Sequence, residues 1–226
     1  MNQAKEASIS SFKAGMYLLE NLTSGMYNDP LSIYREYIQN AVDSIDIGLA
    51  DGTIDSALVD INLDPFKKRI VIKDNGIGIP AKMAEKVLSS IGSSNKQERN
   101  LRGFRGIGRL GGIAFSDRAT FKTKYFGDNI ESVQEWDCLK LRHIISNRQY
   151  SLTFQELFDN VTTFSQHNGV RSNHSYFEVI LEGVSSFRNQ VFDIERIQNY
   201  ISQVAPVPFD YELFSNGKII DQHLLG

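Results

Sequence analysis

Glu36 and Asn40, a carboxylate and an amide one helical turn apart, are joined by a second carboxylate, Asp43, three residues further on. At about 100° per residue the three fall in one narrow helical stripe, opposite Tyr34, Ile38, Ala41, Val42 and Ile45. Any amphipathic helix has a solvated stripe over a packed one. The residue types add a second meaning. A carboxylate can orient and deprotonate a water, and an amide carbonyl can ligate a hard Mg²⁺ ion through oxygen. Taken alone, the helix leaves both readings open.

The second group is Lys73-Asp74-Asn75-Gly76-Ile77-Gly78-Ile79-Pro80. Asn-Gly after a strand ordinarily turns a hairpin, but Gly78 and Pro80 spoil a returning strand. The functional reading makes Asp74 a buried acceptor, with Gly76 and Gly78 allowing close approach of a planar ligand. An ionised carboxylate accepts from an exocyclic amine, so it welcomes adenine N6 and opposes guanine O6. A site built around one such bond discriminates by orders of magnitude.

The third group runs Gly103-Phe104-Arg105-Gly106-Ile107-Gly108-Arg109-Leu110-Gly111-Gly112. Glycines let backbone N–H groups converge on phosphate oxygens, helped by the N-terminus of a following helix. Arg105, Arg109 and Lys96 supply nearby positive charge. Gly106-x-Gly108-x-x-Gly111 also fits a dinucleotide-binding fingerprint, with Asp128 about 20 residues on, but polar Ser93–Arg102 is not the apolar strand that motif must follow. Ser93-x-x-Lys96 matches an acyl-enzyme serine motif that lacks its Lys-Thr-Gly partner. No Gly-x4-Gly-Lys-Ser/Thr loop occurs.

Elements must position these groups. Helical spacing predicts helices over Phe12–Leu22 and Leu31–Ile47, the second stopped by Gly48 and Asp51-Gly52. Ala57–Leu63 and Arg69–Ile72 read as strands; Pro80 opens a helix continued by Met83–Ile91 and stopped at Gly92. Ser93–Arg102 is polar and predicts a loop. Strands follow over Arg118–Tyr125, Ser132–Ile145 and Tyr176–Leu181, with helices over Leu152–Phe158 and Asp193–Val204. Asn216-Gly217 predicts a hairpin within Phe209–Leu225, after Pro206 and Pro208. The class is α+β.

The 226 residues carry 24 Lys+Arg against 27 Asp+Glu, a net charge of −3, so no basic footprint for nucleic acid exists in this segment. The single cysteine, Cys138, cannot form an internal disulfide and fits a reducing cytoplasm. No apolar run approaches the ~20 residues of a membrane helix, and Met1–Ser11 lacks a signal core. Eight of the 17 glycines fall between Gly76 and Gly112, which marks that stretch as the place to look for a ligand. Trp136-Asp137-Cys138 reads as core packing.

In order and spacing the three groups resemble the ATPase domain shared by gyrase, HtpG-type heat-shock chaperones, histidine kinases and MutL, called GHKL. Arg35-Glu36 through Asp43 is similar to the chaperone version of the first box, Asp74–Gly78 to the second and Gly103–Gly108 to the third. The resemblance implies a two-layer α/β sandwich, a mixed, largely antiparallel sheet covered by helices, with ATP beneath a lid. It implies Glu36 as general base and Asn40 as Mg²⁺ ligand, with Asp43 beside them. It implies Asp74 on the adenine amine, Gly76 and Gly78 near the base, and Gly103, Arg105, Gly106, Ile107 and Gly108 on the phosphates. Ser93–Arg102 would be the lid, with Lys96 on phosphate. Family members carry Gly-Thr just before the strand read at Tyr176–Leu181, the Thr bonding the adenine-reading Asp. His174-Ser175 stand there instead, so Ser175 takes that role and His174 is expected to crowd the pocket.

Glu36 separates this chain from histidine kinases, which lack that carboxylate; the four histidines are scattered and no phosphoacceptor helix precedes the domain. The function implied is Mg²⁺-dependent ATP binding and slow hydrolysis, driving a conformational or dimerisation switch in a chaperone-like, homodimeric protein. The alternative is a non-hydrolysing ATP sensor or kinase-type module; a pure interaction domain with a decayed site ranks last. Residues 1–204 are expected to form the ATP-binding domain and 205–226 the start of another. The chain is then a fragment, and the Lys or Arg that activates the γ-phosphate lies outside it.

Overall fold

A computed structural model of the chain describes residues 29–89, 108–147, 152–170, 173–204, 212–215 and 218–219. The predicted helix Phe12–Leu22, the stop at Gly92 and the loop Ser93–Arg102 lie outside the described residues, as do Lys96, Gly103, Arg105, Gly106 and Ile107.

Helix α1, Ser32–Asp51, buries Ile33, Tyr34, Tyr37, Ile38, Ala41, Val42 and Ile45 at helical spacing. It runs past the expected stop at Gly48. A side chain there would meet Ile54 and Ile77 at 2.9 Å, so this glycine permits close packing inside the helix rather than ending it. The end falls at Gly52, left-handed at φ 73, whose N–H returns to the Gly48 and Leu49 carbonyls.

Strands β1 (Leu58–Asp64) and β2 (Arg69–Asp74) form an antiparallel hairpin, its turn closed by the Lys67 N–H on the Asp64 carboxylate at 2.9 Å. Helix α2, Ala81–Ser89, begins directly after Pro80, and the Asp128 carboxylate accepts from the Ala81 N–H at 3.0 Å. That helix-start contact is what Asp128 does in this fold. A 3-10 helix, Gly108–Ala114, then leads into β3 (Arg118–Lys124) and β4 (Ile130–Asp137).

The predicted strand Ser132–Ile145 is cut in two. Asp137 accepts from the Lys140 N–H at 2.9 Å and starts helix α3, Cys138–Ser146, which buries Cys138 and Leu141. Helix α4, Phe154–Val161, begins in a capping box made by Thr153 and Glu156. Strand β5, Thr162–Asn168, was not foreseen: it is a mostly exposed, polar edge strand. Strand β6 (Tyr176–Glu182) and helices α5 (Arg188–Val191) and α6 (Ile194–Val204) follow. Strands β7 (Glu212–Ser215) and β8 (Lys218–Ile219) pair as the predicted hairpin. That hairpin is bonded into the same sheet as the rest, β7 running parallel to β1.

Among the described residues one sheet holds all the strands, in the order β5-β4-β3-β6-β2-β1-β7-β8. All neighbouring pairs are antiparallel except β1 with β7, which gives the expected mixed, largely antiparallel α+β sheet. One face carries Ile61, Ile70, Ile72, Phe121, Val179 and Leu181 into a core shared with α1 and the other helices. Trp136 and Phe158 meet edge to face at 5.2 Å and seat α4 on that side. The other face carries cross-strand rows of alternating charge: Asp60, Lys73, Glu178 and Lys122, and Asp64, Arg69, Glu182 and Arg118. Opposite charges directly across strands suit a face that meets water.

Candidate functional site

A cleft opens on the helix-covered side between α1, β2 and β6. It is lined by Tyr37, Asn40, Ser44, Ile72, Asp74, Phe177 and Val179 and is open to solvent. α1 presents Tyr37, Asn40 and Ser44 one turn apart; β6 presents Phe177 and Val179 by alternation, and β2 does the same with Ile72 and Asp74.

Asp74 forms the polar floor. It is 7% exposed, and burial pushes its carboxyl up to about 7, although the backbone N–H groups of Gly76 and Phe177 donate to it. The Gly76 contact measures 2.9 Å. Gly76 leaves room for this geometry, since a side chain on it would strike Ser44 Oγ at 2.3 Å and Asp74 Oδ1 at 2.9 Å. Asn75 does not turn a hairpin. Its amide bonds the Leu58 N–H at 2.8 Å and the Ser56 carbonyl at 2.7 Å, stitching the loop to the start of β1.

Gly78 sits at φ 68, and a side chain there would lie 2.0 Å from the Lys124 carbonyl. The loop from Asp74 is thus pressed onto the end of β3, where Ile79 N–H donates to Thr123 Oγ1 at 2.9 Å. On the 3-10 helix, which begins at Gly108, the Gly112 N–H donates to the Tyr37 hydroxyl at 3.0 Å and fastens that segment to α1.

The predicted stripe on α1 is only partly gathered in. Asn40 lines the cleft with Asp74. Glu36, one turn earlier, is half-buried and ion-paired with the neighbouring Arg35 at 2.9 Å, which raises the Arg35 pKa. Asp43 accepts from Gln39 Nε2 at 3.0 Å and is not among the cleft-lining residues. Ser175 is buried two residues before Phe177. Its hydroxyl makes no hydrogen bond among the described residues, so the expected bond to Asp74 is not formed. His174, expected to crowd the pocket, is exposed; its carbonyl accepts from Lys124 Nζ.

Sequence reasoning missed Tyr37, Ser44, Phe177, Val179 and Lys124. Ser44 was findable, since it continues the Tyr37–Asn40 side of α1 by one turn. Lys124 carries no motif.

The family model for histidine kinase-, DNA gyrase B- and HSP90-like ATPases matches residues 32–169, which is more than half of the chain. The chain belongs to this ATPase family. Its range takes in α1, the Asp74 loop, the 3-10 helix and strands β1–β5. The chain is similar to the chaperone protein HtpG of Albidiferax ferrireducens, 29% identical over 147 residues, which cover 56% of this chain and 22% of that protein. HtpG of Psychrobacter arcticus is 29% identical over 139 residues, 53% of this chain and 21% of that protein. HtpG of Photorhabdus laumondii is 29% identical over 143 residues, 53% and 22%. The match spans about a fifth of these relatives' length.

A buried carboxylate at the cleft floor fits an adenine nucleotide, and the buried Ser175 hydroxyl makes no hydrogen bond among the described residues. Among the described residues no group of three or more His, Cys, Asp or Glu converges on a metal position. Of the cleft-lining residues, Asn40 carries an amide oxygen of the kind that could ligate a hard cation. Among the described residues no helix is long and apolar enough to cross a membrane.

Proposed function

We propose that the chain binds ATP with Mg²⁺ and hydrolyses it slowly, as the engine of a homodimeric, cytoplasmic, chaperone-like switch. The observation that carries this reading is the buried Asp74 carboxylate, which lines the same cleft as Asn40. Asp74 accepts a hydrogen bond from the exocyclic amine of adenine, and a guanine carbonyl in that place meets like polarity. Asn40, which lines the cleft, would hold the metal through its amide oxygen, with Asp43 on the same helix. Glu36, one turn further, orients the attacking water and accepts its proton; Arg35 holds Glu36 Oε1 and orients that carboxylate. Charge neutralisation on the phosphates is the chemistry Mg²⁺ supplies when bound. Gly103, Arg105, Gly106, Ile107 and Gly108 would hold the phosphates, with Lys96 on the lid.

Replacing Glu36 by Ala tests the chemical step. Phosphate release should fall at least 100-fold while ATP affinity stays within about threefold, the size expected for a lost general base. Unchanged turnover contradicts the role of Glu36. ATP binding without phosphate release by the wild-type chain supports the non-hydrolysing sensor instead.

A further inference from the structure

Lys124 is 0% exposed at the end of β3, an unusual place for an ammonium group. Its Nζ donates to the Tyr125 carbonyl at 3.2 Å and to the carbonyl of His174, the residue immediately before Ser175. Its own carbonyl occupies the space a side chain would need on Gly78. Around it, the Phe126 N–H donates to the Ile77 carbonyl at 3.3 Å, and Thr123 Oγ1 donates to the Tyr176 carbonyl at 3.3 Å. Lys124 therefore reaches both walls of the adenine end: the Asp74–Ile79 loop with its backbone and the His174–Ser175 segment with its amine.

The outer sheet face closes over it. Tyr176 and Glu131 are the cross-strand partners of Lys124 on either side, and the Tyr176 hydroxyl donates to the Glu131 carboxylate across it. Lys73 Nζ lies over the Tyr176 ring at 4.3 Å. Burial lowers the Lys124 pKa, with Asp128 acting in the opposite direction. Packing alone is served equally well by an apolar side chain, without desolvating a charge.

We infer that Lys124 is a positioning residue for the nucleotide site, its amine fixing the His174 carbonyl so that the buried Ser175 hydroxyl is held at the adenine end. The inference rests on the ATP-binding reading.

The test is calorimetric binding of Mg–ATP and of ADP to the wild-type chain, K124M, S175A and the double variant, with folding checked by circular dichroism. Lys124 acts at the base, not the phosphates. K124M should therefore weaken ATP and ADP equally, by about tenfold or more, and raise KM with kcat unchanged. It should also couple to Ser175, the double variant binding no more weakly than the worse single variant. If K124M does not fold, K124Q, which keeps an amide donor near the His174 carbonyl, is measured in its place. Wild-type affinity in the folded variant, or losses that simply multiply in the double variant, overturn the role of Lys124. A wild-type chain that binds neither nucleotide overturns the ATP reading itself, and the inference with it.

Discussion

Asp74 accepts two backbone N–H groups and still has its carboxyl pushed up to about 7 by burial. Its ordinary value is 3.8, so the folded chain holds this proton more tightly than the unfolded chain does. The sign follows from linkage: stability is full below about pH 4 and is lost as the pH rises to about 7. At about 1.4 kcal/mol per unit, the ionised group costs the empty fold on the order of a few kcal/mol. Asp74→Asn removes that charge and nearly preserves the shape. Thermal unfolding at pH 8 should show the variant more stable than wild type, the difference vanishing towards pH 4, while ATP binding weakens at least 100-fold. A variant less stable than wild type at pH 8 contradicts this account of the site. Gly78 makes the complementary point, because its φ of 68 and the Lys124 carbonyl both exclude a side chain. Gly78→Ala should lower stability by about 1–3 kcal/mol in denaturant titrations and weaken nucleotide binding. The motif residues Asp74 and Asn40 were legible because their chemistry is unusual at those spacings. Lys124 was not, since one lysine in a strand looks like any solvated lysine until the fold closes over it.

Elements whose period was unbroken were read with nearly the right ends: β1, β2, β3, β6 and α6. The misses have local physical causes. Ser132–Ile145 is apolar enough to pass for one strand, but Asp137 caps Lys140 and the period changes from 2 to 3.6 at Cys138. Asp137→Ala should therefore cost about 1 kcal/mol, the usual loss for a helix cap. That corresponds to about 2–4 °C in Tm for a chain of this size, without change in ATP affinity. No drop in Tm contradicts the boundary at Asp137. Strand β5 escaped because an edge strand needs no apolar alternation; its order comes from β4, with Trp136 opposite Thr162 and Val133 opposite Ser165. Gly48 misled because helix-ending glycines and close-packing glycines look alike in sequence.

At the scale of the whole molecule, helices cover one face of the sheet and alternating charge covers the other, so the cleft is confined to the helix side between α1, β2 and β6. The glycine-rich third group leads into the 3-10 helix, whose Gly112 is bonded to Tyr37 on the cleft wall. ATP contact there would be felt directly by α1, which is the mechanical core of the proposed switch. The central claim is that adenine reads Asp74 while the phosphate end lies towards Asn40 and Glu36. A crystal structure of the chain with Mg²⁺ and a non-hydrolysable ATP analogue tests it most directly. The adenine amine should lie within hydrogen-bond distance of the Asp74 carboxylate, with the phosphates on the Asn40 side of the cleft. An analogue bound elsewhere, or with its base away from Asp74, contradicts it.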